Sequence, residues 1–235
     1  MRLDKFVSRF ADSRREARNI IKKGRVNVEG ALIKDPGFVI DENSSTVELD
    51  GERLNYKEFI YIMMNKPSGV ISATEDPRHR TVVDLLPDGF RRYKPFPVGR
   101  LDIDTEGLLL LTNDGQASYK LLSPKRKVPK RYIAVLDCDI DDSHIEKFRE
   151  GIVLSDGYKT KPACLSRLEG ENEVSVTITE GKFHQVKRMF ADLGRTVLFL
   201  KRIEFAGLSL DPQLLEGQSR ELTPQELKIL DKIMQ

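Results

Sequence analysis

Long apolar runs are missing from this chain of 235 residues: none approaches the roughly 18 uninterrupted apolar residues that a membrane span requires. The opening Met1-Arg2-Leu3-Asp4-Lys5 also lacks the apolar core of a signal peptide. A cytoplasmic chain with no membrane partner is expected. Cysteine is scarce. Cys138 and Cys164 have no CxxC partner, and neither they nor the three histidines approach a zinc-ligand spacing. That argues against a disulfide scaffold or a zinc site and leaves two reduced, structural thiols as the expectation. Repeats and low-complexity segments are absent. So is a dominant charge: 39 Lys and Arg face 37 Asp and Glu, net +2, so the balance alone argues neither for nor against a nucleic-acid partner. The 39% hydrophobic content suffices for one good core plus a small satellite, hence one or two domains.

The distribution of charge says more than its sum. Residues 1–27 hold nine Arg and Lys against three acids, and the following thirty or so residues are acidic. A second basic run, Lys125-Arg126-Lys127 with Lys130 and Arg131, contains no acid. A third spans Lys182, Lys187, Arg188, Arg195, Lys201 and Arg202. Three basic clusters in a near-neutral chain suggest one polyanion-facing surface, although each alone also suits a solvated face.

Leu3, Phe6, Val7 and Phe10 follow helical spacing, with Arg2, Lys5 and Arg9 on the other face. A second helix should begin at the capping box Ser13-Arg14-Arg15-Glu16, bury Ala17, Ile20 and Ile21, and stop at Gly24, leaving Arg14, Arg15, Arg18 and Lys22 outward. Short strands are expected at Arg25–Val28, Phe38–Ile40 and Thr46–Leu49, closed by turns at Glu29-Gly30 and Asp50-Gly51. This is a small α/β module over residues 1–58. The patternless Asn55–Glu58 marks its end, and the apolar Phe59–Met64 opens a second domain over 59–235. There, strands at Val70-Ile71, Leu108–Leu111, Tyr132–Leu136, Val174–Ile178 and Thr196–Leu200 alternate with helices at Ser143–Glu150, His184–Leu193 and Pro224–Met234, the last capped by Thr223. The class is α+β.

The densest polar constellation is Gly99-Arg100-Leu101-Asp102-Ile103-Asp104-Thr105-Glu106-Gly107, entering Leu108–Leu111 and the turn Asn113-Asp114-Gly115. Three carboxylates on alternate positions repel one another unless a cation, a metal or a capped loop compensates. A calcium loop fits poorly, because its twelfth position is Asn113 and the leucines belong to a strand. Turn capping suits Asp104 and Glu106. Asp102 has Arg100 two residues away, and the helix after Glu180-Gly181-Lys182-Phe183-His184 brings Lys187 and Arg188 one turn from its start. His184 could be a base, but a lone histidine at a helix start is more often a hydrogen-bonded structural group.

Val98–Asp102 followed by Asp104–Gly115 resembles the central signature of the bacterial RsuA-type pseudouridine synthases. Asn65-Lys66-Pro67-Ser68-Gly69 resembles the family's first motif, Lys130-Arg131-Tyr132 its tyrosine motif and Glu180–Phe190 its closing motif, all in order. Residues 1 to about 50 are similar to the alpha-L RNA-binding module of a ribosomal protein. The resemblance implies a catalytic domain on a mainly antiparallel mixed β-sheet with flanking helices.

In the family an aspartate attacks the target uridine, the N-glycosidic bond breaks, and the held base turns and rejoins the sugar through carbon. The resemblance puts Asp102 in that role, as a nucleophile that must stay ionised, with Lys187 as its basic partner. Tyr132 corresponds to the tyrosine that stacks on the base and assists proton removal from carbon. Arg100 matches the arginine that helps hold the flipped uridine, and Val186 and Leu101 would wall the uracil. Lys66, Lys130, Arg131, Lys182 and Arg188, with Arg14, Arg15, Arg18 and Lys22 of the module, are the expected RNA contacts. The reaction is an isomerisation, which implies no cofactor and no metal. Where the family's closing motif often has Arg, this chain has Lys187, a point charge rather than a bidentate fork. With lysine there, preceded by His184-Gln185-Val186, the chain resembles the small-subunit enzymes of the family more than the large-subunit ones, which implies small-subunit (16S) ribosomal RNA or its pre-ribosomal particle as the partner; nothing requires more than a monomer. The alternatives are large-subunit RNA, an inert RNA-binding assembly factor, and a metal-dependent phosphodiesterase using Asp102, Asp104 and Glu106.

Overall fold

Local signals build the first helices. Ser13 accepts a hydrogen bond from Glu16 N and caps helix α2 (Arg14–Lys22), while the Glu16 carboxylate reaches back to Asp12 N at 2.8 Å. Gly24, at φ +72°, ends α2 with Gly24 N donating to Ile21 O and Arg25 N to Ile20 O, a Schellman stop. Helix α1 (Leu3–Val7) is shorter than the apolar spacing suggests. Phe10 lies beyond it and packs its ring 5.8 Å from that of Phe6.

The computed structural model describes residues 1–41, 44–54 and 57–235. They divide into two compact units: Met1–Phe59 with Asp88–Lys94, and Ile60–Pro87 with Pro95–Gln235. The expected break at Asn55–Glu58 begins on two residues outside the described ones. In the first unit α1 and α2 lie on a four-stranded antiparallel sheet, ordered β2–β1–β3–β4: β1 Val26–Val28, β2 Ala31–Leu32, β3 Val47–Leu49 and β4 Glu52–Arg53. Glu29-Gly30 and Asp50-Gly51 all have positive φ, the geometry tight hairpins need. Phe38–Ile40 is no strand; it forms one bridge, Val39 to Arg2, with Ile40 N donating to Met1 O. Helix α3 (Asp88–Arg91) belongs to this unit, and Arg92 sets its guanidinium 5.4 Å from the Phe10 ring.

The second unit is one mixed sheet of nine strands. Its main path runs β13–β5–β7–β11–β8–β10–β9, with β6 (Phe96–Pro97) on β7 and β12 (Leu208–Ser209) on β11. The strands of the path are β5 Tyr61–Lys66, β7 Glu106–Thr112, β8 Lys130–Leu136, β9 Cys164–Arg167, β10 Glu173–Ile178, β11 Val197–Phe205 and β13 Ser219–Glu221. β7 and β11 run parallel and the other pairings are antiparallel. β5 and β7 are buried almost throughout, as central strands covered on both faces must be. Asp114 does not sit in a simple turn. It caps helix α4 (Gly115–Leu122), accepting from Gln116 N and Ala117 N. Leu121 of α4 and Leu230 of helix α7 (Pro224–Met234) cover Met63, Leu108, Leu110 and Phe205. Helices α5 (Asp142–Glu150) and α6 (Gln185–Ala191) complete the unit, and no described helix is long and apolar enough to cross a membrane.

One contact in this sheet needs glycine. Gly107 of β7 pairs with Arg202 of β11, and a Cβ on Gly107 would stand 2.2 Å from the Arg202 carbonyl oxygen, at a φ of +97°. Cys138 and Cys164 are unpaired, as expected of reduced thiols, and both are exposed.

Candidate active site

The segment 99–105, between β6 and β7, is held by backbone contacts rather than by regular structure. Lys66, fully buried at the end of β5, donates from Nζ to Pro67 O at 3.0 Å, Ile103 O at 3.1 Å and Thr105 O at 2.8 Å. Gly69 N donates to Ile103 O. Ser72 Oγ both accepts from Leu101 N and donates to Leu101 O, each at 3.0 Å. Asp102 is thereby fixed between two clamped neighbours, with its own carbonyl accepting from Thr105 N at 3.1 Å. Burial pulls the Lys66 ammonium down to about 8, against the nearby charges of Asp104, Glu106 and Asp102.

Asp102 is 27% exposed in its side chain, open enough to meet a substrate. The Lys187 ammonium lies 3.8 Å from Asp102 Oδ2 and 2.5 Å from Asp104 Oδ1, so its closer partner is Asp104. The hydrogen bond from Lys187 outweighs partial burial and holds the Asp104 carboxyl below its ordinary range. Glu106 goes the other way: burial first, and then Glu216, raises it. Lys201 stands 3.9 Å from Glu106. Asp102 and Asp104 thus share the Lys187 ammonium, while Glu106 faces Lys201 and Glu216.

His184 enters α6 with φ +47°, and its side chain accepts no cap hydrogen bond from the helix. Its Nε2 is 3.6 Å from Asp102 Oδ1, outside hydrogen-bond range, and its ring stacks on Phe183 with centroids 3.8 Å apart. The hydrogen-bonded structural role expected of it is not what the structure has; His184 stands at the rim beside the carboxylate. Glu180, also buried, accepts from Tyr158 Oη, Lys161 N and Gln185 Nε2, which locks the start of the closing motif.

A pocket of about 130 Å³ opens beside Asp102, walled by Leu101, Tyr132, Val186, Leu200 and the cations Arg100, Lys130, Lys182, Lys187 and Arg202. It shares Arg100, Leu101, Asp102 and Lys130 with a wider groove of about 780 Å³ lined also by Ser72, Tyr158, Lys161 and Phe183. Tyr132 is buried on β8, and its cross-strand partners are Val176 on β10 and Arg202 on β11. Burial, then the charge of Arg202, pulls Lys130 down to about 8.

Several expected contacts lie elsewhere. Lys66 is too deeply buried to touch RNA and anchors the loop instead. Arg131 points away from the pocket wall to Glu204 at 3.2 Å and Ser175, because adjacent strand residues face opposite sides. Arg188 pairs with Asp156 at 2.6 Å. In the first unit Arg14 and Arg18, with Arg2, are drawn onto one fully buried carboxylate, Asp4, at 3.1, 2.9 and 3.3 Å. Burial would raise that carboxyl, but the three guanidinium groups hold it far below its ordinary range. Arg15 and Lys22 are exposed. Ser72 carried no signal as a site residue, and Arg202 was marked only as a member of the third basic cluster, although it is in phase with buried Leu200 on β11.

A clamped carboxylate beside a narrow pocket with an aromatic wall and five cations is the layout of an enzyme that acts on a base of a polyanion. The comparisons with known proteins agree. The RNA pseudouridylate synthase family matches residues 60–192, and the S4 domain family matches residues 1–44. An uncharacterized RNA pseudouridine synthase of Bacillus subtilis (strain 168) is 48% identical over 236 residues, 99% of each chain. The ribosomal small subunit pseudouridine synthase A of Escherichia coli (strain K12) is 39% identical over 97% of this chain and 98% of its own. That of Vibrio cholerae is 42% identical over the same shares. A crystal structure of a pseudouridylate synthase matches with TM-score 0.69 at 36% identity, over 98% of this chain and 99% of that one. The chain belongs to the RNA pseudouridylate synthase family and is an isomerase that carries an S4 domain at its N-terminus.

Proposed function

We propose that this protein converts one uridine of small-subunit (16S) ribosomal RNA to pseudouridine, working in the cytoplasm as a monomer on the RNA or its pre-ribosomal particle. The observation that carries the reading is Asp102, held by clamps on both sides and open to a pocket of one aromatic and several apolar walls. The relatives named for the small subunit, matched over nearly their whole length, support the choice of RNA.

In this reading a uridine leaves its stack and enters the pocket, where the Tyr132 ring meets its face and Leu101 and Val186 its edges. Stacking tolerates rotation, so the ring can turn between detachment and reattachment. Asp102 is the nucleophile. Lys187 keeps positive charge beside it while engaged with Asp104, and Tyr132 stands where the proton must leave carbon. Arg100, exposed at the rim, meets the backbone of the flipped nucleotide. The test is to map pseudouridines in ribosomal RNA from cells with and without the gene. One small-subunit site lost, restored by the parent gene and not by Asp102→Asn, is the expected result. A lost large-subunit site would redirect the substrate, and an unchanged map would overturn the reading.

A further inference from the structure

The pocket wall contains two polar atoms without a partner among the described residues, Arg202 Nη2 and Thr105 Oγ1. Arg202 is the unusual one. It is 2% exposed, its Nε donates to Leu108 O at 2.8 Å, and its guanidinium carbon lies 4.8 Å from the centre of the Phe205 ring. It forms no ion pair among the described residues. A guanidinium does not give up its proton, and a buried charge without a counter-charge is costly to keep. Lys130 approaches the same Phe205 ring at 5.6 Å, and its only described hydrogen bond goes to Val128 O. Neither Arg202 nor Lys130 forms an ion pair with a carboxylate among the described residues, although the charge of Glu180 reaches Lys130. The strand register sets Arg202 directly across from Tyr132, so it stands beside the aromatic wall rather than at the rim.

We infer that Arg202 is a catalytic residue: its guanidinium takes the carbonyl oxygens of the target uracil and stabilises the negative charge that the ring carries during the isomerisation. This rests on reading the pocket as a uracil site. Charge must appear there whichever atom Asp102 attacks. If the carboxylate adds to ring C6, the displaced π electrons become an enolate on O4. If it attacks the sugar, the C1′–N1 pair goes to N1 and spreads over O2 and O4. In both cases the C1′–N1 bond is broken and C1′ bonds to C5; the Asp102 carboxylate is released, from C6 or from C1′, C5 loses its proton and N1 gains one, so that the product is an isomer of the starting uridine. A fixed donor in a dry wall is most effective where charge develops during reaction. The closing motif supplies the partner of the nucleophile, and Arg202 supplies the opposite need, a partner for the leaving ring.

The test compares parent, Arg202→Gln and Arg202→Lys in single turnover on a synthetic RNA carrying the mapped uridine, and on the same RNA with 5-fluorouridine there. Loss of the starting nucleoside is followed by nucleoside mass analysis. Fluorine makes the ring a better holder of negative charge. Arg202→Gln should lose about 10²- to 10³-fold in rate on uridine at unchanged RNA affinity, and several-fold less on the fluorinated RNA. Arg202→Lys should fall between. An equal loss on both RNAs, or a loss in affinity alone, overturns the assignment. Should Arg202→Gln not fold, as judged by circular dichroism, the Arg202→Lys ratio on the two RNAs decides by the same criterion. If the parent leaves both RNAs unchanged, the uracil reading itself has failed and the inference falls with it.

Discussion

The cations of the two units are put to opposite uses. In the N-terminal unit Arg14, Arg15, Arg18 and Lys22 are exposed along one helix, and even the three arginines that share Asp4 keep about half of their side-chain surface in water. In the catalytic unit Lys66 and Arg202 are buried outright and Lys130 is half-buried; they bond to backbone carbonyls, not to carboxylates. Exposed charge can supply affinity for a polyanion, which is long-ranged and screened by salt. Buried charge supplies position and a local field, which salt screens little. The comparison breaks most sharply at Asp102. Asp102→Asn should lower turnover by on the order of 10⁴-fold or more while RNA affinity stays within a few-fold, measured by single-turnover kinetics beside filter binding. A parallel loss of affinity would mean that binding and chemistry are not separated between the two sets of charges.

Next in size is Gly107→Ala. The added Cβ would meet the Arg202 carbonyl oxygen at 2.2 Å in a left-handed conformation. Separating β7 from β11 should cost about 3 kcal/mol, read as a lower urea midpoint. A change under about 1 kcal/mol would show that the sheet yields there at little cost. Lys66→Met follows. Three loop carbonyls lose their donor, and turnover should fall about 10²-fold with RNA affinity unchanged, because a nucleophile displaced by about 1 Å is enough for that loss.

These buried positions were also the hardest to read from sequence. The helix caps at Ser13 and Thr223, the Gly24 stop and most of the apolar strands follow from nearest-neighbour chemistry, so they were legible, with strand ends off by a few residues; Phe38–Ile40 and Val70-Ile71 form only isolated bridges, at Val39 and Ile71. The site motif was legible too, because its carboxylates are dense and resemble a family signature. The use of Lys66 was not. A lysine just before a Pro-Ser-Gly turn reads as a phosphate contact, and only the long-range return of residues 103–105 onto it reveals an anchor. Turn capping is the local reading of Asp104, because nothing nearby in the sequence brings Lys187, 83 positions later, onto it. The Asp88–Lys94 excursion into the first unit is likewise a tertiary fact. The expected orientation of Arg14 and Arg18 missed Asp4, a carboxylate on the preceding helix that the sheet and helices enclose together.

Titration separates the buried set from the exposed one. Lys66 and Lys130 have folded values near 8, below the ordinary 10.5, chiefly through burial. Between pH about 8 and 10.5 the unfolded chain therefore binds more protons than the folded one. Their cost to stability is fully present below about pH 8 and is relieved as pH rises through that window. Turnover should move the other way, falling above about pH 8 as Lys130 loses its charge at the pocket. Opposite slopes of urea midpoint and turnover are expected in the parent, and Lys130→Met should flatten the turnover limb. Slopes of the same sign would assign the limb to another group.

The smallest effect distinguishes two arginines three residues apart. Arg15 forms no ion pair among the described residues, whereas Arg18 donates to Asp4 at 2.9 Å. Arg15→Ala should weaken RNA binding a few-fold and lower the slope of log affinity against log salt by about 0.7 to 1, with the urea midpoint unchanged. Arg18→Ala should do the same to binding and also destabilise the first unit by about 1 to 3 kcal/mol, because a buried carboxylate loses one of its three donors. Asp4→Asn should reproduce the stability loss without lowering the salt slope, since it removes no cation. If Arg15→Ala and Arg18→Ala shift the salt slope but leave the midpoint alike, the Asp4 cluster is no more than an exposed charge pair, and the contrast between a charge that binds and a charge that builds would not extend into the N-terminal unit.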